Sequence, residues 1–345
     1  MNKLRAVACC VFSCCAFLST SAFAFESKAE KIAAATERLK AIEVMNSLDG
    51  EDMKPWHLKY SYTLHDGAEK SSSGTIEEWW VSRDKWRQVR TEDGKTSVRM
   101  RVGGHSYISN DAAPMPAALQ TLQDAIVHPV QYASANGQPL EPTQENHKFG
   151  SLELSCVMRA RHANTEDTVH LGLFPTFCVA ADNALRLTST SGMNIVANLA
   201  GKFQGHAVAT KLAGTRDGVA LFGGTIEELR SKSEDTGDWS TTDLLERDHG
   251  LARIGSGVMA GQVISKVQPR YPPNARDHHI SGAVVLHAVI GEDGHLRLIE
   301  PISFPSAELA FESVHTLSKW VYKPYLLNGV ITEVETTVVM NFNLN

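Results

Sequence analysis

Residues 282–303 read GAVVLHAVIGEDGHLRLIEPIS, and residues 331–344 read ITEVETTVVMNFNL. In the first stretch Val284, Leu286, Ala288 and Ile290 alternate with Val285, His287 and Val289. Apolar side chains therefore stand on both faces, as in a central strand. Gly291-Glu292-Asp293-Gly294 supplies a four-residue hairpin loop. His295 to Ile302 returns antiparallel, with Leu296, Leu298 and Ile302 on one side and Arg297 on the other. Ser306 to Val321 has helical spacing: Ser306 offers an N-cap, Glu308 adds negative charge to the first turn, and Leu309 or Ala310, Val314, Leu317 and Val321 form a buried stripe. Pro324 ends it. In the second quoted stretch Val334, Thr336, Val338, Met340, Phe342 and Leu344 share one face; Glu333, Glu335, Thr337, Asn341 and Asn343 share the other.

Hairpin, crossover helix and strand have few solutions. A right-handed crossover places the last strand beside the first, in spatial order 2-1-3. The expected fold is a small βαβ-type module, a three-stranded antiparallel sheet packed on a helix. Its last strand lies at an edge, with backbone N–H and C=O groups open to a foreign strand. Glu333, Val334, Glu335, Thr336, Thr337, Val338, Val339, Met340, Asn341 and Phe342 are the candidate partner-binding residues. The competing reading is an edge blocked by the chain's own tail, by Glu333 and Glu335, or by self-dimerisation.

Upstream, Ser27 to Leu48 reads as an amphipathic helix that Asp49-Gly50 stops. Trp56, Leu58, Tyr60, Tyr62 and Leu64 then alternate with polar residues, and Asp66-Gly67 turns the chain. Segments 74–82, 85–91, 96–102 and 105–108 continue a series of five short antiparallel strands. Pro114 to Ile126 is helical, with Leu119, Leu122 and Ile126 on the side that would cover the sheet. Strands resume over 151–159, 176–180, 184–188, 193–199 and 206–212, while Ile226 to Leu229 has no clear place. The fold class is α+β: a curved antiparallel half-barrel with covering helices, then the small C-terminal module. Trp56, Tyr60, Trp79, Trp80 and Trp86 fill the core or line an apolar ligand cavity.

The chain has 345 residues, long enough for two domains. Lys3 and Arg5 precede the uncharged run Ala6 to Ala24, which ends in Ala22-Phe23-Ala24. Residues 1–24 read as a cleavable signal peptide and place the protein in the periplasm. The alternatives are an uncleaved inner-membrane anchor, or lipidation at Cys14. Domains are expected over 25–235 and 259–345, joined by a polar, acidic linker over 236–258 in which Leu244-Leu245 forms one helical turn. Cys9, Cys10, Cys14 and Cys15 leave with the signal; Cys156 and Cys178 remain and are expected to pair in an oxidising compartment. Two buried free thiols are the alternative. Without Lys3 and Arg5 the balance is 31 basic against 39 acidic residues, which argues against nucleic acid as a partner.

No stretch proposes an active site, a cofactor or a metal, so a non-enzymatic protein is expected. His278-His279 are adjacent, a spacing that rarely ligates one metal, and no nearby cysteine or carboxylate cluster completes a site. Gly255-Ser256-Gly257 lacks the frame of a nucleophile elbow. Glu77 and Glu78 sit on one strand and point to opposite faces.

Two resemblances add to this. Pro269, Tyr271, Pro272, Ala275, Gly282, Asp293-Gly294, Trp320, Tyr322, Pro324, Gly329 and the terminal Phe342-Asn343-Leu344 resemble the TonB C-terminal domain over about residues 262–344. The resemblance implies contact with outer-membrane transporters, whose short box adds as a strand beside Glu333 to Phe342. Energy transducers of that family also carry a long Pro-rich spacer, which this sequence lacks. Gly74-Thr-Ile-Glu-Glu-Trp-Trp, Lys85-Trp86-Arg87 and Phe203-Gln204-Gly205-His206 resemble the strand set of LolA-like periplasmic carriers over about residues 27–215. That resemblance implies a concave apolar face able to hold acyl chains. The leading expectation is an envelope protein that binds a partner by strand addition, in transport across the outer membrane. The alternative is a carrier of a lipid or other apolar ligand.

Overall fold

The computed structural model describes residues 27–66, 70–130, 141–160, 172–233, 237–247 and 251–344. The expected signal peptide and Gly67 of the expected turn lie outside the described residues. Helix α1 (Lys28–Asn46) starts on a capping box. Ser27 Oγ accepts from the Glu30 N–H, and the Glu30 carboxylate accepts from the Ser27 N–H. Strands β1 (Trp56–Asp66), β2 (Lys70–Ser82), β3 (Lys85–Glu92), β4 (Lys95–Val102) and β5 (His105–Ser109) follow as the alternation requires, then α2 (Ala117–Val127). Next come β6 (Glu141–Phe149), β7 (Leu152–Ala160), β8 (Thr176–Val179), β9 (Leu185–Thr190), β10 (Met193–Phe203), β11 (His206–Arg216), β12 (Val219–Ser231) and β13 (Leu244–Arg247).

These thirteen strands form one curved, open antiparallel sheet in the order β13-β5-β4-β3-β2-β1-β12-β11-β10-β9-β8-β7-β6. Leu119, Leu122 and Ile126 of α2 are buried with Trp56, Leu58, Tyr60 and Ile76, so the helix fills the concavity as its apolar stripe predicts. Trp56 and Trp80 stack with ring centroids 5.6 Å apart. Three strands of this sheet escaped the sequence reading. β12 is central, between β1 and β11; it takes in the unplaced run Ile226 to Leu229 and carries Gly223-Gly224 within the strand. A Cβ at Gly224 would stand 2.7 Å from Leu122 Cδ1, so the glycine lets α2 approach. β6 is a mostly polar outer strand without apolar alternation. The Leu244-Leu245 pair is strand, paired with Ile108 and Ser109, and forms no helical turn.

The C-terminal module comprises β14 (Ala252–Arg253), α3 (Ser256–Ala260), β15 (Val263–Ser265), α4 (Pro273–Asp277), β16 (Gly282–Ile290), β17 (Leu296–Ser303) and α5 (Ala307–Leu317). Short strands β18 (Val321–Tyr322), β19 (Leu326–Leu327) and β20 (Val330–Ile331) then lead to β21 (Val334–Phe342). Its sheet order is β14-β21-β16-β17: the expected 2-1-3 arrangement with one strand more. α5 begins where Ser306 Oγ accepts from the Leu309 N–H, and it ends at Leu317, four residues before Val321. The chain leaves the helix there because the Tyr322 N–H donates to the Gly294 C=O (2.9 Å) and Val321–Tyr322 pairs with β15. Gly294 has φ +83°, and a side chain there would collide with the Tyr322 carbonyl.

Candidate functional site

The final strand and the hairpin beneath it carry the geometry that matters. β16 flanks β21 from Gly282↔Phe342 to Ile290↔Val334. On the other side the Ala252 N–H donates to the Glu333 C=O (3.2 Å) and the Ile254 N–H to the Glu335 C=O (3.0 Å). N–H and C=O of one residue point the same way in a strand, so the odd positions of β21 face outward and the even ones face β16. The expectation of an edge open from residue 333 is therefore corrected. Val334 and Glu335 are paired with β14, because the segment read as linker supplies a strand of its own. Among the described residues no strand pairs with the outward groups of Thr337, Val339 and Asn341. The Val339 side chain is 49% exposed. Val334, Thr336, Met340 and Phe342 are buried toward α5.

The hairpin loop between β16 and β17 is inserted into the half-barrel. Glu292 is buried at 5% exposure. Its carboxylate accepts two bonds from Arg99 (Nη1–Oε1 3.0 Å, Nη2–Oε2 2.7 Å), one from Arg247 Nη1 (2.9 Å) and one from the Met115 N–H (2.8 Å). Burial alone would raise this carboxyl; the Arg99 hydrogen bond and charge, the Met115 N–H and Arg247 outweigh it and hold it below the usual range. Asp293 accepts from the Ala117 N–H (2.9 Å), the first residue of α2. Pro116 at the N-cap offers no side-chain acceptor, so a residue 176 positions away caps the helix in its place. Arg297 on β17 bonds Asp124 of α2 (2.7 Å), and the Ile299 N–H donates to Ser191 Oγ (2.8 Å). Met158, Leu173 and Phe174 of the half-barrel join the C-terminal core.

Glu78 reaches the concave face as its strand position requires, while Glu77 turns outward to His57 (2.7 Å). Glu78 accepts from Gln123 and Gln88, and burial pushes its carboxyl up to about 7 against those bonds. With Trp86, Gln88, Arg101, Tyr107 and Glu333 it lines a polar cavity of about 340 Å³. A second cavity of about 750 Å³ lies where the half-barrel, α2 and the hairpin meet, lined by Leu64, Met193, Leu221, Leu296 and Arg216 among others. The expected aromatic set thus divides: Trp56, Tyr60 and Trp80 are core, Trp86 lines the polar cavity, and Trp79 packs on His57 at the convex face.

Cys156 and Cys178 are disulfide-bonded across β7 and β8. His278 and His279 close α4. Sequence reasoning missed Arg99, Arg247, Glu292 and Asp293 as a group. Asp293-Gly294 was legible as a turn, but no local pattern marks an acidic loop residue as buried.

Residues 267–344 match the model of the family described as Gram-negative bacterial TonB protein C-terminal. The C-terminal module is TonB-like. Among solved structures, the chain is similar to a putative outer-membrane lipoprotein-sorting protein domain from Vibrio parahaemolyticus: 8% identity, TM-score 0.33, covering 62% of this chain and 96% of that one. It is also similar to a LolA superfamily protein from Nitrosomonas europaea: 7% identity, TM-score 0.34, covering 56% and 94%. A third is MucB, solved in complex with MucA(peri): 13% identity, TM-score 0.27, covering 74% of each chain. No curated protein matches the chain. Among the described residues no helix is long and apolar enough to cross a membrane.

Proposed function

We propose that this is an exported, non-enzymatic cell-envelope protein whose TonB-like module binds a partner by strand addition along β21, in transport across the outer membrane. One observation carries the reading: in a TonB-like domain, the outward groups of Thr337, Val339 and Asn341 face no strand among the described residues. A partner strand laid there gains main-chain hydrogen bonds, each worth about 0.5–1.5 kcal/mol net. The half-barrel serves as the platform that grips the hairpin loop and holds the module in one orientation. The test is amide hydrogen exchange of the full chain with and without extended peptides taken from the N-terminal ends of outer-membrane transporters. Exchange at Thr337, Val339 and Asn341 slows if the strand docks. Unchanged exchange there, with every peptide tried, rejects the reading.

A second reading is favoured by the 750 Å³ cavity, whose size lies in the range of small-molecule sites. On this reading the protein carries an apolar ligand between half-barrel and module. Titration with a fluorescent long-chain fatty acid tests it: binding to the full chain that Ala118→Trp removes supports the carrier, and no binding rejects it.

A further inference from the structure

The start of β21 is already occupied by a piece of this chain. β14 lies parallel to it, in register Ala252↔Val334 and Arg253↔Glu335. Arg253 Nε donates to Glu335 Oε1 at 2.6 Å, and the other oxygen of that carboxylate meets His287 Nε2 at 3.2 Å. Ala252 and Ile254 pack against the C-terminal core. Beyond Ile254 the chain turns off at Gly255 into α3, and the edge opens. A cavity of about 210 Å³ sits at that departure point, lined by Arg253, Ile254, His287, Glu335, Thr336 and Thr337. Two side chains beside it keep buried polar atoms without a partner: His287 Nδ1, on a residue 6% exposed, and Thr336 Oγ1, on a residue 4% exposed.

We propose that β14 is an internal stand-in for the partner, displaced by an extended segment that runs parallel to β21 with the pattern small or aliphatic, basic, aliphatic, hydrogen-bonding. This rests on the strand-addition reading of β21 and adds to it the direction, the register and the chemistry of the incoming strand. The small or aliphatic first position and the aliphatic third follow from where Ala252 and Ile254 sit. The basic second position follows from Glu335, whose carboxylate loses Arg253 when β14 leaves and faces a replacement at the same register. The fourth position lies opposite Thr337, on the face of His287. This chain has Gly255 there, with no side chain to offer; a Ser, Thr, Asn or Gln at that position faces the polar cavity that Thr337 and His287 line.

Displacement is feasible by simple comparison. β14 holds β21 through a two-residue ladder, whose bonds include those to the Glu333 and Glu335 carbonyls, and an ion pair whose arginine side chain is 74% exposed, an arrangement of low strength. A longer strand keeps those contacts and adds the outward groups of Thr337, Val339 and Asn341.

The experiment uses the full chain and a fluorescein-labelled peptide, Leu-Ala-Arg-Ile-Thr-Val-Thr, with fluorescence anisotropy and amide exchange as readouts. Proteins are the wild type, Ala252→Pro, which removes one β14 donor, and Arg253→Glu, which repels Glu335 from an exposed position and leaves the fold intact. The expected result is binding at least ten-fold tighter to both variants than to the wild type, with slowed exchange at Thr337 and Val339. A peptide with Arg→Glu binds at least ten-fold more weakly. Equal binding to wild type and variants, with slowed exchange at β21, overturns the stand-in and leaves strand addition standing. Equal binding of the Arg→Glu peptide overturns the basic position. No binding and no change in exchange with any protein overturns both readings.

Discussion

Two buried carboxylates respond to pH in opposite directions, and their surroundings say why. Burial raises Glu78 to about 7, so the folded state holds a proton that the unfolded state releases near the ordinary value of 4.5. Stability from this group is fully present below that unfolded value and is lost as pH rises toward 7. The loss is about 3 kcal/mol across the window. Glu78→Gln keeps an acceptor for Gln88 and Gln123, so urea unfolding of the variant should show a flatter profile between pH 5 and 7 and higher stability at pH 8. Glu292 is the reverse: its folded value is depressed, so its contribution is present above the unfolded value and is lost as pH falls through the folded one. Glu292→Gln leaves Arg99 and the buried Arg247 uncompensated and should cost about 3 kcal/mol at pH 7. That difference should shrink in acid, where wild-type Glu292 is protonated too. At this scale the sequence told which face a residue takes, as it did for Glu77 and Glu78. It did not tell which loop carboxylate is buried, because Arg99 lies 193 positions from Glu292.

Elements were legible where their pattern is local. The alternation of 334–342 and 282–290 marks strands whatever they pair with, and the Ser306 cap marks the start of α5. β14 was illegible because two residues have no periodicity; only the neighbouring carbonyls of Glu333 and Glu335 make them a strand. The parity of β21 yields a sharp contrast. Val339→Pro removes an outward N–H on an open edge and should shift the melting temperature by no more than a few degrees while abolishing strand docking. Val338→Pro removes an N–H that faces β16 and should cost about 3 kcal/mol or more. Thermal melts of the pair, beside amide exchange with peptide, check both halves. In the half-barrel, Cys156 and Cys178 staple β7 to β8 across a sequence separation of 22. Replacing both by alanine should lower the urea midpoint by the equivalent of about 3 kcal/mol.

Across the whole molecule, the half-barrel and the TonB-like module are held by polar contacts on the hairpin loop, on α2 and on the Ser191 turn, together with the apolar patch of Met158, Leu173 and Phe174. Arg247 matters most here, since it comes from β13, in the stretch that reads as a linker, and grips a loop of the other module. With this clamp intact, calorimetry should show one cooperative transition. Arg99→Ala with Arg247→Ala should split it in two, because the coupling between modules then rests on the remaining contacts. Periodicity, caps and turn residues act over a few positions, so the strands with clear alternation, the longer helices and the β17-β16-β21 order of the small sheet could be read from the chain alone. The two facts that bear most on function could not. The insertion of Glu292 into the half-barrel and the covering of Glu333 and Glu335 by Ala252 to Ile254 arise from charges and backbone groups far apart in sequence. Burial and register bring them together only once the modules have packed.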